Sequence, residues 1–582
     1  MKNITNRIPV LLSALILLAF ASCQDDHFDT NADVTARLTI WQQIKQNKQL
    51  SEFAYLLENT HYSKSENTPT QTTYAQLLDH EQVFTVWAPV NGSFNFELYK
   101  SLLESGSVEK AYRVENELIR NSMARFSFVL NGSWDKKEIN LFNDKTTDFV
   151  YEDATIGGVK LTQRNIGCTN GTLHITENSI PFRANLYEVL ANLENCDSIY
   201  RFIKGYEKYE FDERSSTQGP TVLGNITWVD SVTHLSNEYF WSMGAYLNRE
   251  DSLYAMIVPD NDAWNSIIEK TRTYYNFLPE YTQTVTSVDA EGNENTEKIT
   301  TTFTPEELDS MLNLCSKNAI CNNLVFNARY QFKEFDPYRP WDCDSLQSTV
   351  GNRFKVPFVE PLFAGVSTPH TASNGYAYVV NQFNFRPQDT WAKKKDLEAE
   401  YGSVIESYSQ CSPSSYTGTF ERNDSIIKYS VLRTIQKSSS VNPDVTFKIT
   451  NTLSCKYDIY LVMAWNKNAE RPALFKATLS YHDGKKAAAT SKVLESSEAD
   501  SLHYGGKNLF KNCPPVTDSL GNVIQVTDTI PLAKDFELPV CYYGIDKAYV
   551  TLKVASTITS KQTSTYSREM WIDKILFVAK EN

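Results

Sequence analysis

Two kinds of sequence block occur twice in the same order, and this duplication constrains the fold more than any other feature of the 582 residues. The first kind is QVFTVWAPVNGSFN (82–95). Its apolar run Val83 to Trp87 predicts a short, fully buried strand, Pro89 ends it, and Asn91 is placed to cap a following helix through its side-chain oxygen. The second kind is NIGCTNGTLHITENSIPF (165–182). Asn170-Gly171 suits the positive φ values of a tight hairpin turn, and beyond it Leu173 and Ile175 alternate with Thr172 and His174 as on a half-buried strand. SLYAMIVPDNDAWNSII (252–268) repeats the strand, a proline (Pro259) and a capping residue before an aromatic, and TPHTASNGYAYVVNQF (368–383) repeats the turn at Asn374-Gly375 before a strand over Tyr376 to Val380. Blocks that recur in order at this spacing predict a duplicated domain.

The segments around the blocks are legible too. Leu38, Trp41 and Ile44, then Phe53, Leu56 and Leu57, then Tyr74, Leu77 and Leu78 recur at helical spacing. Thr304, Pro305 and Glu307 form a capping box ahead of the stripe Leu308, Met311, Leu312 and Cys315, and the polar stretch 283–302 predicts an inserted hairpin turning around Asp289 to Asn293. From about residue 405 short strands dominate: Val445, Phe447 and Ile449 alternate, followed by YDIYLVMAW (457–465), AYVTLKV (548–554) and MWIDKILFV (570–578). That pattern predicts an antiparallel β-sandwich.

Both repeated units resemble fasciclin-like domains, the compact α/β modules of extracellular adhesion proteins. The family's first motif, approximately T-V-F-A-P-T-N-x-A-F, is similar to TVWAPVNGSF (85–94) and to AMIVPDNDAW (255–264). Its second, approximately D-I-x-A-S-N-G-x-I-H, is similar to NIGCTNGTLH (165–174) and, through ASNGYAY (372–378), to the later unit. The aspartate that some animal members use in integrin adhesion is replaced by Asn165 and Pro369, and LIRNSMARF (118–126) lacks the family's Tyr-His pair. The resemblance therefore does not imply animal-type integrin binding. The closing WIDKILFV (571–578) resembles the last strand of galactose-binding-like jelly rolls on carbohydrate-active proteins.

At the other end, Lys2 and Arg7 precede an apolar run from Ile8 to Ala21, shorter than the ~20 residues a membrane-spanning helix needs. With Cys23 behind it, the run resembles a bacterial lipoprotein signal peptide, which implies lipid attachment at Cys23. Gln24, Asp25 and Asp26 resemble the acidic tether by which Bacteroidota send lipoproteins to the outer face of the outer membrane. The expected organisation is multidomain α+β and all-β: signal peptide 1–22, tether 23–35, fasciclin-like domains 36–190 and 191–388, linker 389–404 and sandwich 405–582.

The chemistry is sparse. Asp and Glu outnumber Lys and Arg by 70 to 56, for a formal net charge of −14, which argues against nucleic acid as a partner. Nine cysteines beyond Cys23 lie scattered without a C-x-x-C, favouring buried free thiols over a disulfide framework. Eight histidines show no metal-ligand spacing, and no nucleophile elbow or nucleotide-binding loop is present, so neither metal, cofactor nor enzymatic activity is expected. Tyr376, Tyr378 and Trp571 are candidate rings for stacking on sugar, with core packing as their other role. Together these features predict a non-enzymatic, outward-facing lipoprotein of the outer membrane that binds or scaffolds a glycan or protein ligand, with an outer-membrane uptake complex as a candidate partner. The alternatives are an adhesin for host matrix or cells, and a glycan hydrolase with a carboxylate pair in the last third.

Overall fold

A computed structural model describes residues 37–582 except 133, 220–225, 289–293, 332–334, 367, 423–424 and 522. Cys23, Gln24, Asp25 and Asp26 lie outside these residues. None of the helices among them is long and apolar enough to cross a membrane. By contacts the chain divides into two units, 1–255 with 369–377, and 256–368 with 378–582.

The first unit centres on a seven-stranded sheet in the order Met123–Arg125, Phe84–Pro89, Gly171–Thr176, Val159–Cys168, Thr155–Ile156, Thr146–Val150, Lys136–Asn140. Phe84–Pro89 and Gly171–Thr176 run parallel, with Phe84 opposite Gly171 and Pro89 opposite Thr176. All twelve of their residues are buried, so the half-buried reading of the second strand is corrected. The reason is that both faces of the sheet are covered. On one, Leu173 and Ile175 pack with the helices Ile40–Gln46 and Ser51–Asn59, and on the other Trp87 packs with Ile139, Phe149 and Ile156.

The Asn-Gly turns explain why the duplicated blocks need those residues. A Cβ on Gly171 (φ +134°) would sit 1.8 Å from the carbonyl oxygen of Phe84, and one on Gly375 (φ +152°) 2.1 Å from that of Tyr254, so only glycine lets the parallel neighbour approach. Asn170 is a three-way clamp: its Oδ1 accepts the N–H of Ile40 at 2.9 Å, and its Nδ2 donates to the carbonyls of Leu78 and His80, both at 2.7 Å. Asn374 repeats the clamp with Leu186 N–H at 2.8 Å and the carbonyls of Leu247 and Arg249 at 2.8 and 2.7 Å. In each case the anchored N–H belongs to the first residue of a helix, Ile40–Gln46 or Leu186–Leu190. Within the first unit His370–Ala372 pairs antiparallel with the residues after the turn, His370 opposite Ala377 and Ala372 opposite Gly375.

Asn91 does not cap the helix that follows it. Gly92 at φ +74° makes a turn there, the next helix starts at Phe96, and Asn95 caps it through Leu98 N–H at 3.1 Å. Asn91 instead accepts the N–H of Glu52 at 3.0 Å, serving the uncapped start of Ser51–Asn59. In the second repeat Asp260 does cap its own helix, Asn261–Arg272, through Ala263 N–H.

In the second unit the capping box at Thr304 starts the helix Pro305–Cys321, and Glu280–Val288 pairs with Glu294–Thr302 as the expected hairpin, whose turn lies outside the described residues. Two antiparallel sheets make the sandwich. One runs Cys411–Arg422, Ser425–Gln436, Trp571–Ala579, Cys455–Ala464, Thr527–Leu538, and the other Ile405–Ser409, Asp444–Ile449, Val550–Ser556, Leu474–Tyr481, Leu509–Lys511, Tyr504–Gly506. Alternation decides which residues meet: Val445, Phe447 and Ile449 from the second sheet pack against Ile459, Leu461, Ile575 and Phe577 from the first. The segment expected as a linker at 389–404 is structured, because Lys395–Glu398 pairs antiparallel with Trp571–Ala579. The core also takes in Tyr274, Tyr275, Tyr281 and Ala319, so helix, hairpin and sandwich share one apolar cluster. Buried His482 ties the hairpin on, with Nδ1 at 2.9 Å from the Tyr542 hydroxyl and Nε2 at 3.2 Å from the carbonyl of Thr282. Of the nine cysteines among the described residues, six are buried.

Candidate functional site

The shared core leaves a cavity of about 270 Å³ in the second unit, near the lower end of the ~300–1,000 Å³ typical of small-molecule sites. One wall is the face of the helix Pro305–Cys321 that carries Cys315, Asn318 and Ala319, continued by its C-terminal capping residue Asn322, the spacing of three to four residues placing them on one side. Trp391 and the lysine run Lys393, Lys394 and Lys395 also line it, Lys395 opening the strand Lys395–Glu398 that pairs with Trp571–Ala579 in the sandwich. Tyr275, Tyr457 and Tyr543 add aromatic surface.

A polar relay fixes the lysine wall to the helix. Lys393 Nζ donates to Asn352 Oδ1, Asn352 Nδ2 donates to Asn323 Oδ1, and Asn323 Nδ2 donates to the carbonyl of Ala319 at 2.8 Å. Trp391 is oriented edge-on against Tyr274, ring centroids 6.0 Å apart. Burial lowers the pKa of the Lys395 ammonium. Two buried polar atoms of the lining have no hydrogen-bond partner among the described residues: the Nε1–H of Trp391, a donor, and the Oδ1 of Asn318, an acceptor. Each such group costs about 1–3 kcal/mol when left unpaired, so a ligand group that reached either atom with a complementary donor or acceptor would gain by it. Lysine charge, amide groups and ring faces together suit a small hydroxylated or anionic ligand.

A second cleft, about 440 Å³, lies along the strand Trp571–Ala579, lined by Glu398, Glu400, Asp573, Lys574 and Tyr429. Lys574 pairs with Glu398 at 3.0 Å and Asp396 at 3.5 Å. Glu400 Oε2 is buried without a partner among the described residues, and burial pushes the Asp573 carboxyl up to about 6.

The candidate stacking rings are placed elsewhere. Trp571 is 1% exposed, its Nε1–H donates to Glu569 Oε1 at 2.8 Å, and Tyr416 and the Arg433 guanidinium cover its ring. Tyr378 is 1% exposed, donates its hydroxyl to the carbonyl of Pro337 at 2.9 Å, and packs edge-on against Phe363. Neither ring is available to a sugar, and core packing is their role. Tyr376 is half-buried. None of the three lines the cavity. Asn165, where the family's aspartate would stand, adopts φ +58° and clamps both backbone polar groups of Leu130 at 2.8 Å, a structural use of the position. The cavity residues escaped sequence reasoning. The signals were present as the three consecutive lysines at 393–395 and the amide pair Asn318 and Asn322 one helical turn apart, but nothing in the chain brings them to one cavity.

No family model and no curated protein matches the chain. Among solved structures it is similar to the FAS1 domain pair of the insect cell adhesion molecule fasciclin I, at 10% identity over 53% of this chain and 90% of that one, TM-score 0.18. It is also similar to the mannan-recognising carbohydrate-binding module TmCBM27, at 11% identity over 32% of this chain and 99% of that one, TM-score 0.17. A third likeness is to the CBM22-1–GH10 modules of Clostridium thermocellum xylanase 10B, at 12% identity over 32% of this chain and 28% of that one, TM-score 0.16. At such TM-scores these likenesses assign neither fold nor ligand. The mixed α+β units and the antiparallel sandwich rest on the strand pairings themselves.

Proposed function

We propose that this chain is a non-enzymatic, lipid-anchored cell-surface protein whose second unit binds a small hydroxyl-rich or acidic group at the end of an extracellular glycan. The observation that carries the binding site is the pair of unpartnered buried atoms, Trp391 Nε1 and Asn318 Oδ1, in a cavity walled by Lys393 and Lys395. A sugar hydroxyl that reached either atom would accept from the indole or donate to the amide, a ring face would cover its C–H surface, and the ammonium groups would favour a carboxylate-bearing sugar over a neutral one. The anchoring half of the proposal rests on Cys23 and its flanks, and an uptake complex remains a candidate partner.

A glycan array followed by calorimetry on the full chain tests the binding half. Acidic oligosaccharides are expected to bind, and Asn318→Leu and Lys393→Ala to weaken them about tenfold or more, since each removes one polar contact of ~1.4 kcal/mol or above. Absence of binding to every glycan, or binding that both substitutions leave intact, removes the site. For the anchor, radiolabelled fatty acid is expected to enter the wild-type chain and not Cys23→Ser.

A second reading, glycan hydrolysis, has one observation in its favour: the Asp573 carboxyl, raised to about 6 beside Glu398 and Glu400, has the character of a general acid. Release of reducing sugar by the full chain that disappears in Asp573→Asn would establish it over the non-enzymatic reading.

A further inference from the structure

Apart from the cavity and the cleft, one cluster in the sandwich brings three chemically matched donors together. The segment after Asp500 turns back on itself, with the N–H groups of His503 and Tyr504 donating to the carbonyl of Asp500 at 3.2 and 2.9 Å. Tyr504–Gly506 then pairs antiparallel with Leu509–Lys511, and Lys511 N–H donates to the carbonyl of His503 at 3.0 Å. This ladder carries Cys513 back beside His503. Asp528 comes from the start of the strand Thr527–Leu538 and is held from behind, because its Oδ2 accepts the N–H of Cys513 at 2.7 Å. One ring nitrogen of His503, the sulfur of Cys513 and one carboxylate oxygen of Asp528 lie within 4.8 Å of one another, all three residues being partly buried.

We propose that His503, Cys513 and Asp528 form a three-ligand site for a divalent transition metal of the zinc type. The distances fit. His503 Nε2 and Asp528 Oδ1 are 3.1 Å apart, and bonds of ~2.0–2.1 Å in a tetrahedral zinc site give an N···O edge of about 3.3 Å, so a metal enters with a shift of a few tenths of an ångström. The orientation fits as well. Asp500 Oδ2 lies 2.7 Å from Nδ1 of His503, the carboxylate–imidazole arrangement that fixes the Nδ1–H tautomer and turns the Nε2 lone pair toward a metal. The backbone bond on Asp528 Oδ2 leaves Oδ1 for single-atom ligation. A cavity of about 380 Å³ lined by Asp500, His503, Tyr504 and Glu495 adjoins the histidine, and a tetrahedral ion held by three protein ligands takes water or a small anion as its fourth. A thiolate and an imidazole select zinc-type ions over calcium or magnesium, which take oxygen donors. On binding, the Cys513 S–H proton and the Nε2 proton that His503 directs at Asp528 leave to solvent, and the thiolate, the imidazole nitrogen and the carboxylate bond to the metal with no change of oxidation state.

Cobalt(II) titration of the chelator-stripped full chain reads the site directly. One equivalent is expected to produce a thiolate-to-cobalt charge-transfer band that zinc abolishes. Cys513→Ser should lose the band, and Asp500→Asn, which alters a positioning residue, should weaken affinity about 10- to 100-fold. Cys343→Ser, whose thiol lines a different cavity, should leave it unchanged. No band from the wild-type chain, or a band that survives Cys513→Ser, overturns the assignment. A variant-free measurement covers misfolding: zinc should protect Cys513 of the wild-type chain from alkylation, read by mass spectrometry, and equal alkylation with and without zinc counts against the site.

Discussion

Asn170→Ala is the sharpest test of how the duplicated unit holds together. The side chain is 2% exposed and makes three hydrogen bonds, to Ile40 N–H and to the carbonyls of Leu78 and His80. Alanine cannot replace any of them. Ile40 N–H and the Leu78 carbonyl are buried contacts, each costing about 1–3 kcal/mol when orphaned, whereas the carbonyl of exposed His80 can turn to water and costs less, about 0.5–1 kcal/mol. The sum is roughly 2.5–7 kcal/mol, a large fraction of the 5–15 kcal/mol that holds a domain folded. Asn170→Asp keeps the acceptor for Ile40 but sets a carboxylate against two carbonyl oxygens, so it should be at least as damaging. Because the chain has two units, one global unfolding free energy is not well defined, and hydrogen exchange resolved by peptide is the appropriate assay. The expected result is a loss of protection in the helix Ile40–Gln46 and the strand Phe84–Pro89, with the sandwich strands unchanged. Protection of that helix within about 1 kcal/mol of wild type would refute the clamp, and Asn374→Ala should produce the matching loss in Leu186–Leu190.

Other outcomes follow from the same geometry. Gly171→Ala should cost about 3 kcal/mol or more by thermal unfolding, since its Cβ would meet the Phe84 carbonyl at 1.8 Å, while Gly92→Ala, at φ +74° with nothing within 4 Å, should cost only about 1–2 kcal/mol. His174 is fully buried, stacked on Trp87 and bonded to the carbonyl of Phe128 at 3.0 Å, and burial pushes its imidazole down to about 4. The unfolded chain binds this proton first, so the contribution is complete above pH ~6.5 and shrinks by about 3 kcal/mol in all as pH falls toward 4. His174→Gln should flatten that slope in a pH series of unfolding curves. Glu115, 1% exposed, pairs with Arg120 at 2.6 Å and accepts from the Tyr74 hydroxyl at 2.7 Å, so Glu115→Ala removes the carboxylate partner of a part-buried guanidinium that keeps only Tyr74 and the Ser63 carbonyl, and should lower stability by about 3 kcal/mol in chemical denaturation followed by exchange in the first unit.

Sequence by itself determined the duplication, the buried strands ending at Pro89 and Pro259, the capping box at Thr304, the inserted hairpin and the alternating sandwich strands, because each depends on neighbours a few residues away: a period, a cap or a turn that needs glycine. Tertiary structure decided the rest. Trp571 and Tyr378 are inside because of strand pairing and the side chains laid over them, which alternation alone does not reveal. The cavity joins Asn318 to Trp391 and Lys393 across more than seventy positions of chain, and Asp528 meets His503 only because a separate strand starts beside the turn after Asp500. Such meetings depend on how sheets and helices close on one core, a cooperative outcome of burial that no local pattern encodes.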